Sequence, residues 1–172
     1  MTYNIHPIFV HFPIAFLIAY SLLVIFPFRR WFPRVAWKHI ELALLFVGVL
    51  GGFAANMTGE VAEHLIRPNH KLVETHATFA LISLWAYSLL LAGEILTILS
   101  SVVIPRHNIR VLDSLMSPIH KVLTINFITK LLAVVGLVAI AMTGLLGGVL
   151  VYGASADPLA PIVLKILGIT ID

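Results

Sequence analysis

The chain has 172 residues, of which 60% are hydrophobic and only 11% are charged, and its mean hydropathy is +1.03. Soluble domains carry about 25% charged residues, so the composition excludes a water-soluble globular protein and predicts an integral membrane protein in contact with the lipid bilayer. The absence of cysteine excludes disulfides, cysteine-ligated iron–sulfur clusters and haem attached through thioethers. The net charge of +3 does not indicate nucleic-acid binding, because the basic residues lie in short segments between apolar runs.

Four apolar runs follow one another along the chain, at residues 8–28, 42–59, 77–104 and 131–156. A bilayer core of ~30 Å needs about 20 helical residues, and runs of this length are helical because the backbone must satisfy its own hydrogen bonds in lipid. We therefore predict an all-α membrane protein, a four-helix transmembrane bundle with up-down-up-down topology. The helices are expected at about 7–28, 39–60, 72–104 and 119–152. No basic segment precedes the first run, so we expect it to remain as a helix rather than to be removed as a signal peptide.

The chain is predicted to form one transmembrane domain over residues 1–156, followed by a short interfacial or docking tail over residues 157–172. We find no internal repeat long enough to span the membrane. The segment before the fourth run, residues 104–121, is a candidate for a short helix lying on the membrane surface.

The distribution of basic residues predicts the orientation of the bundle. The first and third connecting segments hold seven lysines and arginines, whereas the opposite side holds three. By the positive-inside rule those two segments are cytoplasmic and both termini lie outside. The expected location is the bacterial inner (cytoplasmic) membrane, with several spans. Glu41, Glu94 and Lys130 are expected near the cytoplasmic helix ends, in structural ion pairs.

Small residues recur on the faces of two predicted helices. They are Gly48, Gly52, Ala55 and Gly59 on the second, and Gly144, Gly147 and Gly148 on the fourth. One interpretation is close helix–helix packing, for which membrane proteins use small residues. The other is a smooth face against which a flat macrocycle lies, and the two are compatible.

Five of the eight histidines fall at the predicted outer end: His6, His11, His64, His70 and His76. Ionisable residues within membrane spans are functional candidates by default. His11 lies about 6 Å beyond Pro7, at 1.5 Å per residue, and His76 lies at a similar depth in the third helix. Two imidazoles at matching depth on different helices are what a bis-histidine b-type haem needs, so we predict that His11 and His76 are its ligands.

The remaining histidines could form a second site. His6 and His11 are five residues apart, about 140° around a helix, so they do not point to one spot. His6 with His64 or His70 is the candidate second pair. Arg67 and Lys71 at the same rim are candidates to bind haem propionates through charge-assisted hydrogen bonds.

Two alternatives to haem at these histidines remain open. His11 and His76 could be buried imidazoles hydrogen-bonded to Asn56, Thr58 or Glu60. Three or more histidines could instead bind zinc or copper, although the chain contains neither His-x-His nor His-Glu-x-x-His. No nucleophile–base motif, phosphate-binding loop or paired acid is evident, so no catalytic residue is predicted.

Several motifs resemble a bacterial membrane family catalogued as domain of unknown function 2231: HPIFVHFPIAFL, MTGEVAEH, THATFAL and TGLLGGVLVYG. The matching positions are His6, Pro7, His11, Phe12, Pro13, Thr58, Gly59, His76, Gly147, Gly148 and Tyr152. Residues 60–63 depart from the pattern, which leads us to expect an aspartate after the Thr-Gly pair. The resemblance implies a four-helix membrane protein, and some members are fused to Rieske or cytochrome modules. It therefore implies work near electron transfer, without an established activity.

The leading hypothesis is a membrane b-type cytochrome with one haem b near the outer face, or two if the second site is real. It would transfer electrons between a membrane quinone and an extracytoplasmic cytochrome or Rieske-type partner, as an electron-transfer subunit of a larger membrane redox complex rather than a stand-alone enzyme. One alternative is a non-redox structural or anchor subunit of a respiratory or photosynthetic complex. A third hypothesis keeps the histidines but places chlorophyll-type magnesium on them.

Overall fold

The computed structural model describes residues 5–66, 69–103, 118–119 and 121–170, and these residues form helices and no strand. The helices are α1 (His6–Ile25), α2 (Phe28–Trp31), α3 (Trp37–Ile66), α4 (His70–Ile98), α5 (Asn126–Tyr152) and α6 (Ala160–Ile166). A π-helical turn, Leu99–Val103, continues α4, and a 3-10 turn, Ala154–Ala156, follows α5.

Four of these helices, α1, α3, α4 and α5, are long and apolar enough to cross a membrane. Each packs against two others, in the cyclic order α1, α3, α4, α5, so α1 and α4 lie diagonally across the bundle. Their outward faces carry large apolar side chains, such as Phe12, Met57 and Trp85, which are 62%, 71% and 68% exposed. Such a surface is suited to lipid and not to water. The predicted all-α four-helix membrane fold is confirmed.

Two helix bounds differ from the prediction. α3 continues to Ile66, several residues beyond its apolar run, because a helix of good helix formers such as Glu60 and Glu63 can extend past the lipid. α5 begins at Asn126 and not near residue 119, because Ile125 adopts an extended conformation (ψ 123°) that interrupts the helix. The predicted surface helix lies mostly outside the described residues.

Glycines allow the helices to approach closely at several points along the bundle. A Cβ at Gly48 would lie 2.5 Å from the Leu17 side chain, and one at Gly52 would lie 3.0 Å from that of Leu84. The packing interpretation of this small-residue face is therefore supported. On α5 two glycines are not explained by close packing, because nothing lies within 4 Å of a Cβ built at Gly144 or at Gly148.

Gly136 gives the first testable prediction, because it is the residue against which the Tyr87 ring packs. A Cβ at this position would lie 2.8 Å from Tyr87 Cζ. The ring has little freedom to move, since its hydroxyl is hydrogen-bonded to Ser21 at 2.8 Å. We expect Gly136→Ala to lower the free energy of unfolding by about 1–3 kcal/mol through overpacking, measured by thermal unfolding in detergent. Gly144→Ala is the matched control on the same helix. An equal effect of the two variants would contradict the prediction.

Ion pairs link the helix ends opposite the histidines, as predicted for Glu41 and Glu94. Arg29 Nε donates to Glu41 Oε1 at 3.1 Å, and its Nη2 donates to Oε2 of the same carboxylate. These hydrogen bonds raise the pKa of the Arg29 guanidinium. Lys38 pairs with Glu94. Lys130 is exposed. We call this the arginine end of the bundle.

The tail folds back on the other end of the bundle. Ala160, Leu164 and Ile169 are buried against Leu72, Leu146 and Val149 of α4 and α5. Asn69 caps α4 by accepting a hydrogen bond from Leu72 N, and its amide donates to the carbonyl of Thr170 at 3.2 Å. A docked tail is in keeping with the predicted role of residues 157–172.

Candidate functional site

The end of the bundle at which α1 and α4 begin and α3 and α5 finish carries the candidate site, and we call it the histidine end. His6 is the first residue of α1, with Pro7 in the first turn, where proline costs no hydrogen bond. The His6 imidazole is half-buried, and its Nδ1 lies 3.0 Å from Thr58 Oγ1 on α3.

The hydrogen bonds of Thr58 favour a proton on Nδ1 of His6. Its single hydroxyl hydrogen is donated back to the carbonyls of Ala54 and Ala55, at 3.1 and 3.0 Å. The Thr58 oxygen is therefore left as an acceptor, and His6 Nδ1 is the donor. In the neutral imidazole the lone pair then resides on Nε2. Metal-binding histidines are usually oriented in this way, with one N–H donated to the protein and the other nitrogen facing the metal.

His76 on α4 is the second member of the site. Its ring is half-buried beside the backbone carbonyl of Thr143 on α5. Its Nδ1 atom is buried and makes no hydrogen bond of standard geometry among the residues that the structure describes, although the ring interacts with the Thr143 carbonyl. Leaving such an atom unpaired costs about 1–3 kcal/mol, so a missing ligand, ion or water is the usual explanation.

His6 on α1 and His76 on α4 lie at the same end of the bundle, on two helices that stand diagonally across it. We call them the histidine pair. Each ring packs against a glycine of a neighbouring helix. A Cβ at Gly59 would lie 3.3 Å from His6 Cε1, and one at Gly147 would lie 3.2 Å from His76 Cε1. The glycines therefore make the room in which the two imidazoles lie.

His11 does not join His76. It is exposed on the outer face of α1, and its Nδ1 donates to the carbonyl of Pro7. Five residues separate it from His6, about 140° around the helix, so only one of the two can face the bundle interior. The pairing of His11 with His76 that was expected from their depth is therefore not formed, and His6 is the histidine of α1 that lies within the bundle.

The other predicted site residues are spread over the rim. His70 is exposed, with Nδ1 3.9 Å from Glu74 Oε2. Lys71 Nζ donates to the carbonyl of Gly168 in the tail at 2.5 Å. The side chain of His64 and all of Arg67 lie outside the described residues. A second site at this rim stays a prediction.

Two short sequence motifs each occur twice in the chain and relate the two halves of the bundle. Neither was predicted, because both are too short to span the membrane. Ala-Tyr-Ser-Leu-Leu occurs at 19–23 in α1 and at 86–90 in α4, and Met-Thr-Gly occurs at 57–59 in α3 and at 142–144 in α5. The threonines of the second motif make the same hydrogen bond, to the carbonyls of Ala54 and Ala139. The hairpins α1–α3 and α4–α5 are thus equivalent units, and each delivers one histidine to the pair.

The first repeated motif forms a polar cluster in the bundle interior. Ser21 Oγ lies 2.8 Å from the Tyr87 hydroxyl and donates to the carbonyl of Ala133 at 3.2 Å. The Tyr20 ring meets the Tyr87 ring edge-on, at 6.3 Å between centroids. These contacts tie the diagonal helices together between the histidine pair and the arginine end.

Few side chains at the site can act as metal ligands. Among the described residues no group of three or more histidines, cysteines or carboxylates could hold a metal ion. A bare zinc ion needs three or four protein ligands. Two imidazoles suffice only when other ligands come from elsewhere, as when a porphyrin supplies four nitrogens to its own iron.

Comparison with known proteins places the chain in a family. A family model described as "Predicted membrane protein (DUF2231)" matches residues 2–156, which leaves only the tail outside it. No curated protein and no solved structure matches the chain. Because the family model covers most of the chain, including both hairpins and the histidine pair, the protein belongs to the membrane family of domain of unknown function 2231.

Proposed function

We propose that the protein is a membrane b-type cytochrome in which the histidine pair holds one haem between α1 and α4. The observation that carries the proposal is a pair of half-buried imidazoles at one end of the bundle, on diagonal helices, each packed against a glycine of a neighbouring helix. In the proposed orientation the histidine end faces outside, in the bacterial inner membrane. The electron donor is a membrane quinol and the acceptor is an extracytoplasmic redox protein, within a larger complex.

The residues at the histidine end fit a haem in their donor chemistry. Two neutral imidazoles are the axial ligands of a b-type cytochrome, and when bound the haem supplies one-electron redox chemistry. Two histidine ligands also fill the iron coordination, which favours electron transfer over oxygen chemistry. Gly147 gives the His76 ring room on α5, since a Cβ there would lie 3.2 Å from His76 Cε1.

The protein's own groups have distinct tasks in this proposal. Thr58 orients His6 and sets its tautomer, so that Nε2 carries the lone pair. Gly59 and Gly147 keep side chains away from the imidazoles. The apolar bundle around them excludes water, and this tunes the reduction potential of a buried iron.

The absorption spectrum of the protein purified in detergent tests the proposal. We expect an oxidised Soret band that sharpens on reduction by dithionite into the visible bands of a low-spin b-type haem. A haem content near one per chain is the second expected result. A colourless protein after expression with added haem precursor would overturn the cytochrome and support the anchor subunit. Red or near-infrared bands would support chlorophyll-type magnesium instead.

Thr58→Val tests the orienting role of the threonine. The variant keeps the shape of the side chain but cannot accept a hydrogen bond from His6 Nδ1. Loss of an outer-shell partner of a metal ligand typically lowers affinity about 10–100-fold, so we expect this loss in haem titration of the haem-depleted protein. Thr78→Val is the control, because its exposed hydroxyl bonds only to the Glu74 carbonyl, at 2.8 Å. Equal affinities of the two variants would contradict the assigned role.

A further inference from the structure

His11 is an ionisable side chain that faces away from the bundle in a membrane-spanning helix. It lies about 7.5 Å deeper than His6, at 1.5 Å per residue, in a helix whose length of about 30 Å matches the bilayer core. Its neighbours on this face, Ile8 and Phe12, are 66% and 62% exposed. Such residues are rare on a lipid-facing surface and mark substrate or ion pathways when they occur. A ligand that reaches His11 therefore comes through the lipid.

The chemistry of that ligand follows from the tautomer of His11. The Pro7 carbonyl can only accept a hydrogen bond, so Nδ1 of His11 carries the hydrogen. In the neutral imidazole the lone pair then lies on Nε2. The hydrogen bond also holds the ring in place one turn from Pro7. The site offers a hydrogen-bond and proton acceptor, and it suits a lipid-soluble ligand that carries an acidic O–H group.

We propose that His11 is the quinol-binding residue, whose Nε2 accepts the hydroxyl hydrogen of a quinol that arrives from the bilayer. A quinol combines the required properties: an isoprenoid chain that keeps it in lipid, an aromatic ring, and hydroxyl groups that ionise on oxidation. The inference rests on the proposed function, because the haem at the histidine pair is the oxidant.

Phe12 follows His11 in the chain and is 62% exposed, so its ring can contact an aromatic headgroup bound there. Stacked or edge-on aromatic contacts add about 0.5–1.5 kcal/mol beyond area burial, and the apolar helix face below provides a track for the isoprenoid chain.

The reaction balances with the groups that the proposal names. Oxidation of one quinol to quinone breaks two O–H bonds and releases two protons and two electrons. A ferric haem held by His6 and His76 would accept these electrons one at a time, and would pass the first to the extracytoplasmic redox protein before it could accept the second. Each proton is taken by His11 Nε2 and passed to water at the outer surface, about five residues away along α1. The net products would be quinone, two protons outside and two electrons delivered to the extracytoplasmic redox protein.

Photolabelling tests the binding of quinol without any need for haem. The probe is the reduced, quinol form of a decylubiquinone that carries a diazirine beside its ring, applied without oxygen to the full chain in lipid nanodiscs, with the labelled residues located by mass spectrometry. We expect the label in the first turns of α1 and about a tenfold lower yield in His11→Ala, as expected for one lost hydrogen bond. His39→Ala, which removes an exposed histidine at the arginine end, is the control. Label mainly in the apolar groove around Trp85, on α4, would overturn the inference.

Reduction kinetics test the transfer of the proton. In wild-type and variant proteins that contain haem, we expect dithionite to reduce the haem equally, whereas reduction by decylubiquinol slows about 100-fold in His11→Ala because the general base is lost. His11→Gln keeps a hydrogen-bond acceptor but no usable proton acceptor, so it should restore photolabelling and not the rate. Equal quinol rates in wild type and His11→Ala would overturn the inference and leave the cytochrome intact. A haem-free wild type would overturn the proposed function, and the photolabelling would then still decide whether His11 binds the quinone.

Discussion

Alanine in place of His76, or in place of His6, is expected to remove the entire low-spin b-type haem signal. In the proposed cytochrome both rings would hold the iron, and an iron that loses one of its two histidine ligands would become high-spin or be released. The measurement is the reduced absorption spectrum together with electron paramagnetic resonance of the oxidised protein. The residual haem content should fall to a small fraction of the wild-type value in either variant.

Two other histidines provide the controls for this result. His39→Ala changes an exposed residue at the arginine end, and His11→Ala changes an exposed residue on α1. Both variants should keep the full low-spin signal. Loss of the signal in His11→Ala, with retention in His6→Ala, would show that the ligand pair is the one expected from depth alone.

Removal of Arg29 is expected to be the most destabilising change at the opposite end of the bundle. Glu41 is only 5% exposed, and Arg29 binds both of its carboxylate oxygens. Arg29→Met would leave the carboxylate buried without its partner. Breaking a buried ion pair in this way costs about 3–5 kcal/mol. Because the Arg29 side chain is itself 58% exposed, we expect Arg29→Met to lower the free energy of unfolding, measured in detergent, by about 3 kcal/mol.

Removal of the acidic partner should lower the free energy of unfolding by less than removal of Arg29 does. This difference would identify the buried carboxylate charge as the cause of the destabilisation. Glu41→Gln removes the buried charge and leaves Arg29 with access to water, so we expect less than half of the loss. Arg30→Met, at an exposed neighbouring arginine, should have little effect. Equal destabilisation by Arg29→Met and Arg30→Met would contradict the assignment of stability to the pair.

Composition and run length predicted the four spans because both depend only on the thickness of the lipid. The same apolar composition gives no information on which histidine faces the interior of the bundle. In a membrane helix the lipid-facing side is as apolar as the side that faces other helices, so α1 has no polar face from which to orient His6 and His11. The pattern of small residues could have indicated that His6 faces inward, because Gly59 of α3 lies against the His6 ring.

Other features could not be predicted because they depend on contacts between distant segments. The break before α5 depends on the conformation of Ile125, in a segment whose composition is as apolar as the helix that follows. The docking of Leu164 and Ile169 on the end of the bundle depends on a surface that exists only after α4 and α5 have packed. The Met-Thr-Gly and Ala-Tyr-Ser-Leu-Leu repeats are present in the sequence, but matches this short do not indicate a structural repeat until the two hairpins can be compared.

The equivalence of the two hairpins has an evolutionary consequence. α1 and α4 both begin at the histidine end, so each hairpin crosses the membrane in the same sense, as in parallel repeats. An ancestral gene that encoded one hairpin could have worked as a homodimer. Fusion of two copies would then have freed each half to specialise. When the halves are aligned on the Ala-Tyr-Ser-Leu-Leu motif, His6 corresponds to Val73 and His76 to Phe9, so each half has acquired its histidine at a position of its own.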